Sequence, residues 1–419
     1  MCDEGSRQVA EYGDAQVRIM MVDPSCFSLP YDHSLCEALV RNGCHVTLAR
    51  SKFLDIDWNY QTSYTVWEDF YRFTHGDKGV RFRRWGTFWK AAKGLDHLAS
   101  MRRFEAMLRR TETDIIHFQW LPVPAVDSFF LRRLRRTAPL VLTLHNTSLF
   151  HGSPTSRFQA AGFASTLQHF DSIIVHTKFS QQRMLERGWA AADRLKVIPH
   201  AVLDYYRTLA LPASSGAIQA DAGEAVVLFF GSIKPYKGVD VLIRAYAQLP
   251  GEIAKSARLV VAGNPGMNVA TLQRMARQLG IDSRVEWKLG VLPEDEVPVL
   301  FQRAAVVVLP YREIDQSGVL MTALAFGKPI IATRVGGMPE AVRDGVHGFL
   351  VEPEDVNGLA GALEKILRSP DRGRSLGEAV SQLATGDLSW DSVAKQTIKL
   401  YQRLIGQGSA SSKSGTAAS

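Results

Sequence analysis

No stretch of this 419-residue chain approaches the ~20 consecutive apolar residues that a membrane-spanning helix needs. The opening residues, MCDEGSRQVAEYGDAQ, hold no apolar core, so no secretory leader is expected there and a cytoplasmic chain is. Cysteine is scarce: Cys2, Cys26, Cys36 and Cys44. None falls in a Cys-x-x-Cys, and none has partners at zinc-finger spacing; they read as small, reduced, buried thiols. There is no Gly-x-Gly-x-x-Gly and no Walker A sequence, which argues against dehydrogenases and P-loop NTPases. No Asp-x-Asp stands at a predicted strand end, so no metal site and no cofactor are expected.

Positive charge is plentiful and unevenly placed. The net charge is +7. Residues 81–110 carry nine Lys or Arg against Asp96 and Glu105, so that window alone is worth +7. Arg132, Arg133, Arg135 and Arg136 form a second cluster. A localised basic surface points to an anionic partner. Within residues 81–98, Phe82, Trp85, Phe88 and Trp89 interleave with Arg81, Arg83, Arg84, Lys90 and Lys93. That mixture suits the interface of an anionic membrane. A solvated basic helix face with buried aromatics is the competing reading. No RNA-binding or helix-turn-helix signature accompanies the segment, so no nucleic acid is expected.

Apolar runs alternate with helical patterns. VRIMMV (17–22), HVTLA (45–49), DIIHFQ (114–119), LVLTLH (140–145), SIIVHT (172–177) and KVIPH (196–200) read as buried parallel strands. Residues 207–224, rich in Ala, Ser, Gly and Pro, read as a linker. The pattern restarts at AVVLFFG (225–231) and continues through RLVVAG, RVEWKLG, VVVLPY and PIIAT. The expected organisation is an α/β chain with two doubly wound, Rossmann-like domains, at 1–206 and 225–387. An amphipathic helix follows at 388–405, and the low-complexity residues 406–419 are expected to be disordered.

The richest chemistry lies at 229–349. FFGS (229–232) runs into the basic turn IKPYKG (233–238), which opens a helix. Farther on, Gln316, Ser317 and Gly318 directly precede a second helix. A helix N-terminus carries about half a positive charge and unpaired N–H donors, and so receives phosphate. Lys234 and Lys237 add fixed cations. The two segments read as halves of one pocket for a diphosphate-linked ligand.

The phrases GSIKPYKGVDVLIRAY, LVVAGNPG, VVVLPYREIDQSGVLMTALAFGKPIIAT and VGGMPEAVRDGVHGFLVEP, in that order, resemble family-4-type retaining glycosyltransferases. That family has the GT-B fold, two Rossmann-like domains with a cleft between them. The resemblance implies transfer of a hexose from a UDP- or GDP-sugar to a glycan or lipid-linked glycan, without a metal, and a last helix that crosses back to the first domain. It places Gly231, Ser232, Lys234, Lys237 and Gly263 at the donor from one half. It adds Glu313, Gln316, Ser317, Gly318, Val319 and Thr322 from the other.

Three positions depart from the family's pattern. Ser232 stands where an Arg is usual, and Lys234 is expected to substitute. Thr322 occupies the second of two glutamate positions. The first falls at Ile314, so Asp315 or Glu313 takes the sugar-facing role by a one-residue shift. The resemblance further implies that Lys237, Asp315 and His145, at the end of LVLTLH, carry catalysis, with His145 orienting the sugar. His117 ends a strand and is expected at the acceptor with Tyr31 and Asp32. A helix-cap role for Asp32 reads equally well. A sugar-nucleotide epimerase and a catalytically weakened sugar-nucleotide binder are the rival functions.

Overall fold

The computed structural model describes residues 16–52, 61–74, 86–147, 162–209 and 223–415, with backbone alone for 86–91 and 408–415. Most of the linker, Arg81 to Trp85, and the side chains of Phe88, Trp89 and Lys90 therefore lie outside the description.

Parallel strands bury both faces and need long crossovers, which is why their sequences are unbroken apolar runs. Seven strands form the first sheet: β1 (Arg18–Asp23), β2 (His45–Ser51), β3 (Thr65–Phe70), β4 (Ile115–Phe118), β5 (Leu140–Leu144), β6 (Ser172–Val175) and β7 (Leu195–Val197). Their order is β3-β2-β1-β4-β5-β6-β7. Six strands form the second: β8 (Ala225–Phe230), β9 (Ala257–Gly263), β10 (Val285–Leu289), β11 (Ala304–Leu309), β12 (Ile330–Thr333) and β13 (Gly348–Val351). Their order is β10-β9-β8-β11-β12-β13. All the strand pairs within both sheets are parallel. Each sheet reverses direction beside its first strand, between β1 and β4 and between β8 and β11. Crevices in such sheets open at that switch point, beyond the carboxyl ends of the strands.

Seven helices shape the site or support it: α1 (Leu29–Arg41), α2 (Gly86–Leu108), α3 (Pro124–Leu134), α4 (Lys178–Glu186), α5 (Val239–Ala247), α6 (Gly318–Ala325) and α7 (Trp390–Gly415). The last belongs to the first domain by packing. Trp390, Val393, Ala394, Leu400 and Tyr401 share an apolar cluster with Leu35, Cys36 and Leu39 of α1. Helix α7 runs on to Gly415, so residues 406–415 are helical where a disordered tail was expected.

Two strands and one helix escape the sequence pattern. β3, TVWEDF, is an edge strand, half-exposed along most of its length, and so lacks the apolar run. β13, GFLV, has only four residues. The helix Pro370–Thr385 carries two internal glycines, which weaken the helical signal.

His117 sits on β4 with no exposure, and its Nδ1 pairs with Tyr401 Oη at 2.5 Å. Nε2 pairs with Thr143 Oγ1 at 2.7 Å. Burial pushes the imidazole down to about 3, so it stays neutral. Tyr401→Phe leaves one buried ring nitrogen without its partner. The expected cost is about 1–3 kcal/mol of stability, read as a lower urea midpoint. An unchanged midpoint would show that the helix-to-sheet bond contributes nothing.

Candidate active site

The basic turn folds as its residues dictate. Pro235 starts a short 3-10 turn over Pro235–Lys237, and Gly238 follows at φ 66°. Only glycine fits there: a Cβ would stand 1.9 Å from the Pro310 carbonyl oxygen. The turn is thereby pressed against the end of β11, and α5 starts directly after it. Lys237 is 8% exposed, with Nζ 3.7 Å above the Tyr311 ring and 5.3 Å from that of Tyr236. Burial, with the neighbouring Lys234 charge, pushes its amine down to about 7. The Lys234 stem crosses Gly266, 2.8 Å from where a Cβ would be.

The second half-site meets the first. Val319 lies 3.1 Å from where a Cβ on Gly231 would stand, and a Cβ on Gly263 would strike the Gly231 carbonyl oxygen. The ends of β8, β9 and α6 thus converge. Ser317 caps α6, its Oγ accepting from Leu320 N–H at 3.3 Å. Gln316 Oε1 is buried with no hydrogen-bond partner among the described residues, and its side chain lines a cavity of about 130 Å³ between the domains. Ser232 and Gly318 are exposed, as is Glu313, which lies near Tyr236. The residues expected at a donor from both segments are therefore gathered at one switch point.

Other expected site residues are engaged in contacts of their own. Asp315 is fully buried and bridges the domains instead of facing an open sugar site. Its Oδ2 accepts from Thr147 N–H and Oγ1, both at 2.7 Å, and Oδ1 accepts from Arg183 Nη1 at 2.7 Å. Thr322 is buried in α6 and its hydroxyl donates to Gly318 O at 3.0 Å, a bond within its own helix. His145 stacks on Trp120 at 5.2 Å, pairs through Nε2 with Gln119 Oε1 at 3.0 Å, and through Nδ1 with His176 at 3.4 Å. Both ring nitrogens are thus engaged in this structure. His117 is sealed beneath the sheet surface by Thr143 and Tyr401. Asp32 is fully buried beside Asp23, and desolvation with that neighbouring carboxylate pushes it well above the usual range. Both His117 and Asp32 are fully buried in this structure. The Tyr31 ring sits at the crevice floor, 4.8 Å from both His145 and His200 and 5.1 Å from Trp390.

Sequence reasoning missed the residues that hold the domains together. Glu340 Oε2 and Oε1 accept from the Lys178 and Phe179 N–H groups at 2.7 and 2.8 Å, where α4 begins. A carboxylate there answers both the free donors and the helix dipole. Gly337 allows the approach, since a Cβ would lie 2.3 Å from Thr177 Cγ2. The signal was present in GGMPE, but it identifies a tight turn and not its partner across the cleft. A larger groove, about 650 Å³, lies at the amino ends of the second sheet beside Lys328, Pro329, Gly377 and Ser381. It belongs to the wrong end of the strands for the phosphate half-sites.

Asp315→Ala removes the acceptor of Thr147 and strands the Arg183 charge. The protein should melt several degrees lower, and its radius of gyration should rise in X-ray scattering as the domains part. Unchanged values for both would show that the bridge holds nothing. Burial lowers His176 to about 3 and His200 to about 4. Their contribution to stability is full above about 6.5 and declines as pH falls toward those values, because only the unfolded chain binds the protons. NMR titration should show both rings neutral at pH 5; a midpoint near 6.5 would contradict this.

Comparison with known proteins agrees with the geometry. A family model described as "Glycosyl transferases group 1" matches residues 213–382, and one described as "Glycosyl transferase 4-like domain" matches 30–201. Together they take in more than half of the chain. D-inositol 3-phosphate glycosyltransferases of Mycobacterium bovis and Mycobacterium tuberculosis are 32% identical over 323 residues. The match covers 74% of this chain and 65%, slightly under two thirds, of those relatives. Sucrose-phosphate synthase from Thermosynechococcus elongatus superposes with a TM-score of 0.68 at 21% identity, covering 94% of this chain and 100% of that one. Anabaena HepE, solved with UDP and glucose, gives 0.67 at 18% identity, covering 93% and 100%. These likenesses show a shared fold. The chain belongs to the group 1 glycosyl transferases, with a 4-like domain ahead of the group 1 domain and both in the GT-B arrangement.

Proposed function

We propose that this protein transfers a hexose from a UDP- or GDP-sugar to a glycan or lipid-linked glycan, with retention at the anomeric carbon and without a metal. One observation carries the reading. Lys237, Lys234 and the N-terminus of α6 are gathered at the carboxyl ends of β8 and β11, the switch point of the second sheet. Such a set of fixed positive groups suits a diphosphate leaving group. The matched relatives act on inositol 3-phosphate by their names, and HepE holds UDP and glucose.

In this reading the bond from the anomeric carbon to the diphosphate oxygen breaks first. The acceptor oxygen bonds to the same face of that carbon, and its proton passes to the departing phosphate oxygen. No protein nucleophile takes part. Lys237, Lys234 and the N–H groups around Ser317 and Gly318 meet the charge that builds on the diphosphate. The cavity of about 130 Å³ is far smaller than the ~300–1,000 Å³ of small-molecule sites, so the domains part to admit the donor. Release of the Asp315 bridge frees that carboxylate for the sugar. Arg102 on α2, Arg109 and Arg110 just past its end, Arg132 on α3 and Arg136 just past its end are exposed, and peripheral contact with anionic lipid fits them.

The test is release of nucleoside diphosphate from UDP-, GDP- and ADP-sugars, with and without EDTA and a polyprenyl-linked glycan extract. One donor should turn over, faster with acceptor and indifferent to EDTA. Lys237→Met should lower that rate by about 10²–10³-fold. Tight nucleotide binding without turnover would make this a sugar-nucleotide binder. Turnover without any acceptor would favour the epimerase.

A further inference from the structure

The proposed transfer depends on Lys237, and the role of the residue that seats it rests on that reading. Among the described residues no carboxylate forms an ion pair with Lys237. Its Nζ instead stands 3.7 Å from the centroid of the Tyr311 ring, a closer approach than the 5.3 Å to Tyr236. Tyr311 follows β11 and is fully buried. The next residue fastens the same turn from its outer side. Arg312 N–H donates to Tyr236 O at 2.8 Å, its guanidinium donates to the Pro235 carbonyl, and Nη1 and Nη2 reach the Asp240 carboxylate at 3.0 and 2.9 Å. Glu354 completes the contacts of Arg312. Two consecutive residues at the end of one strand thus anchor both the backbone and the cation of the phosphate turn.

We propose that Tyr311 is the positioning residue for Lys237, its ring face holding the ammonium group where the donor diphosphate is received. The choice of partner has a physical reason. A carboxylate would hold the lysine as firmly but would compete with phosphate for it and repel the incoming anion. An aromatic face attracts the cation through its quadrupole and leaves the charge uncancelled. Desolvation on that seat, with the neighbouring Lys234 charge, pushes the amine down to about 7. The other groups at this turn are Lys234, Tyr236, Glu313 and the Arg312–Asp240–Glu354 network. Phosphate oxygens favour the charged form, so binding of a nucleoside diphosphate takes up a proton.

The experiment is calorimetric titration of the full chain with UDP, GDP and inorganic pyrophosphate from pH 6 to 9. Two buffers of different ionisation enthalpy report the proton. Wild type and Tyr311→Phe should bind alike, both with proton uptake that peaks above pH 7. Tyr311→Leu should bind about 30-fold more weakly, the size of a desolvated cation–π contact. In a Lys237→Met background Tyr311→Leu should have no further effect. Equal binding by Tyr311→Leu and wild type would overturn the proposal. So would an undiminished effect of Tyr311→Leu in the Lys237→Met background, which would show a general structural role. If Tyr311→Leu does not fold, Tyr311→Phe still decides the matter: binding about as weak as that expected of Tyr311→Leu would place the role in the hydroxyl and refute the ring-face seat. If the wild type binds none of the three probes, the transferase reading itself fails.

Discussion

A buried carboxylate must be neutralised, and Asp315 obtains its partners from the opposite domain. Thr147 and Arg183 come from the first domain, Asp315 from the second, and no part of that carboxylate is exposed. Neither half could leave this arrangement without stranding a charge or a donor. Glu340 repeats the device on a smaller scale by capping α4 across the cleft. Gly337 keeps the two surfaces close enough for both contacts. The narrow interdomain cavity and the orientation of the two sheet crevices toward each other both result from this closure.

The same closure explains why the residues expected on the sugar are engaged elsewhere. Asp315 is bound across the cleft, while His145 is held by Gln119 and His176. Such bonds are exchangeable: a sugar hydroxyl presents the same donors and acceptors as Thr147 or Gln119. The diphosphate side differs. Lys237 and the N-terminus of α6 sit within the second domain alone, fixed by Tyr311, Arg312 and Gly238. Under the proposed function, phosphate recognition is therefore built into one domain, and sugar recognition is coupled to domain movement.

How much of this was legible in the sequence depended on the range of the interactions. β1, β5, β8 and β11 are continuous apolar runs because both faces are covered, and they could be read directly. β3 could not, because an edge strand keeps charged residues on its open side. The basic turn was legible because Pro235, Lys237 and Gly238 act within one short segment. The roles of Asp315, Thr322 and His117 were not. Each depends on a partner, and for Asp315 and His117 that partner lies 132–284 positions away along the chain. Thr322 shows the opposite range: its hydroxyl is satisfied four residues back in its own helix. Position in a motif indicated where a side chain begins, and packing decided where its polar end goes.

The most direct measurement is a crystal structure of the full chain with its nucleoside diphosphate. This account predicts phosphate oxygens within hydrogen-bond reach of Lys237 Nζ and of the N–H groups at the start of α6, with the nucleotide at the ends of β8 and β11. A nucleotide bound elsewhere, such as the groove beside Lys328 and Gly377, would contradict it.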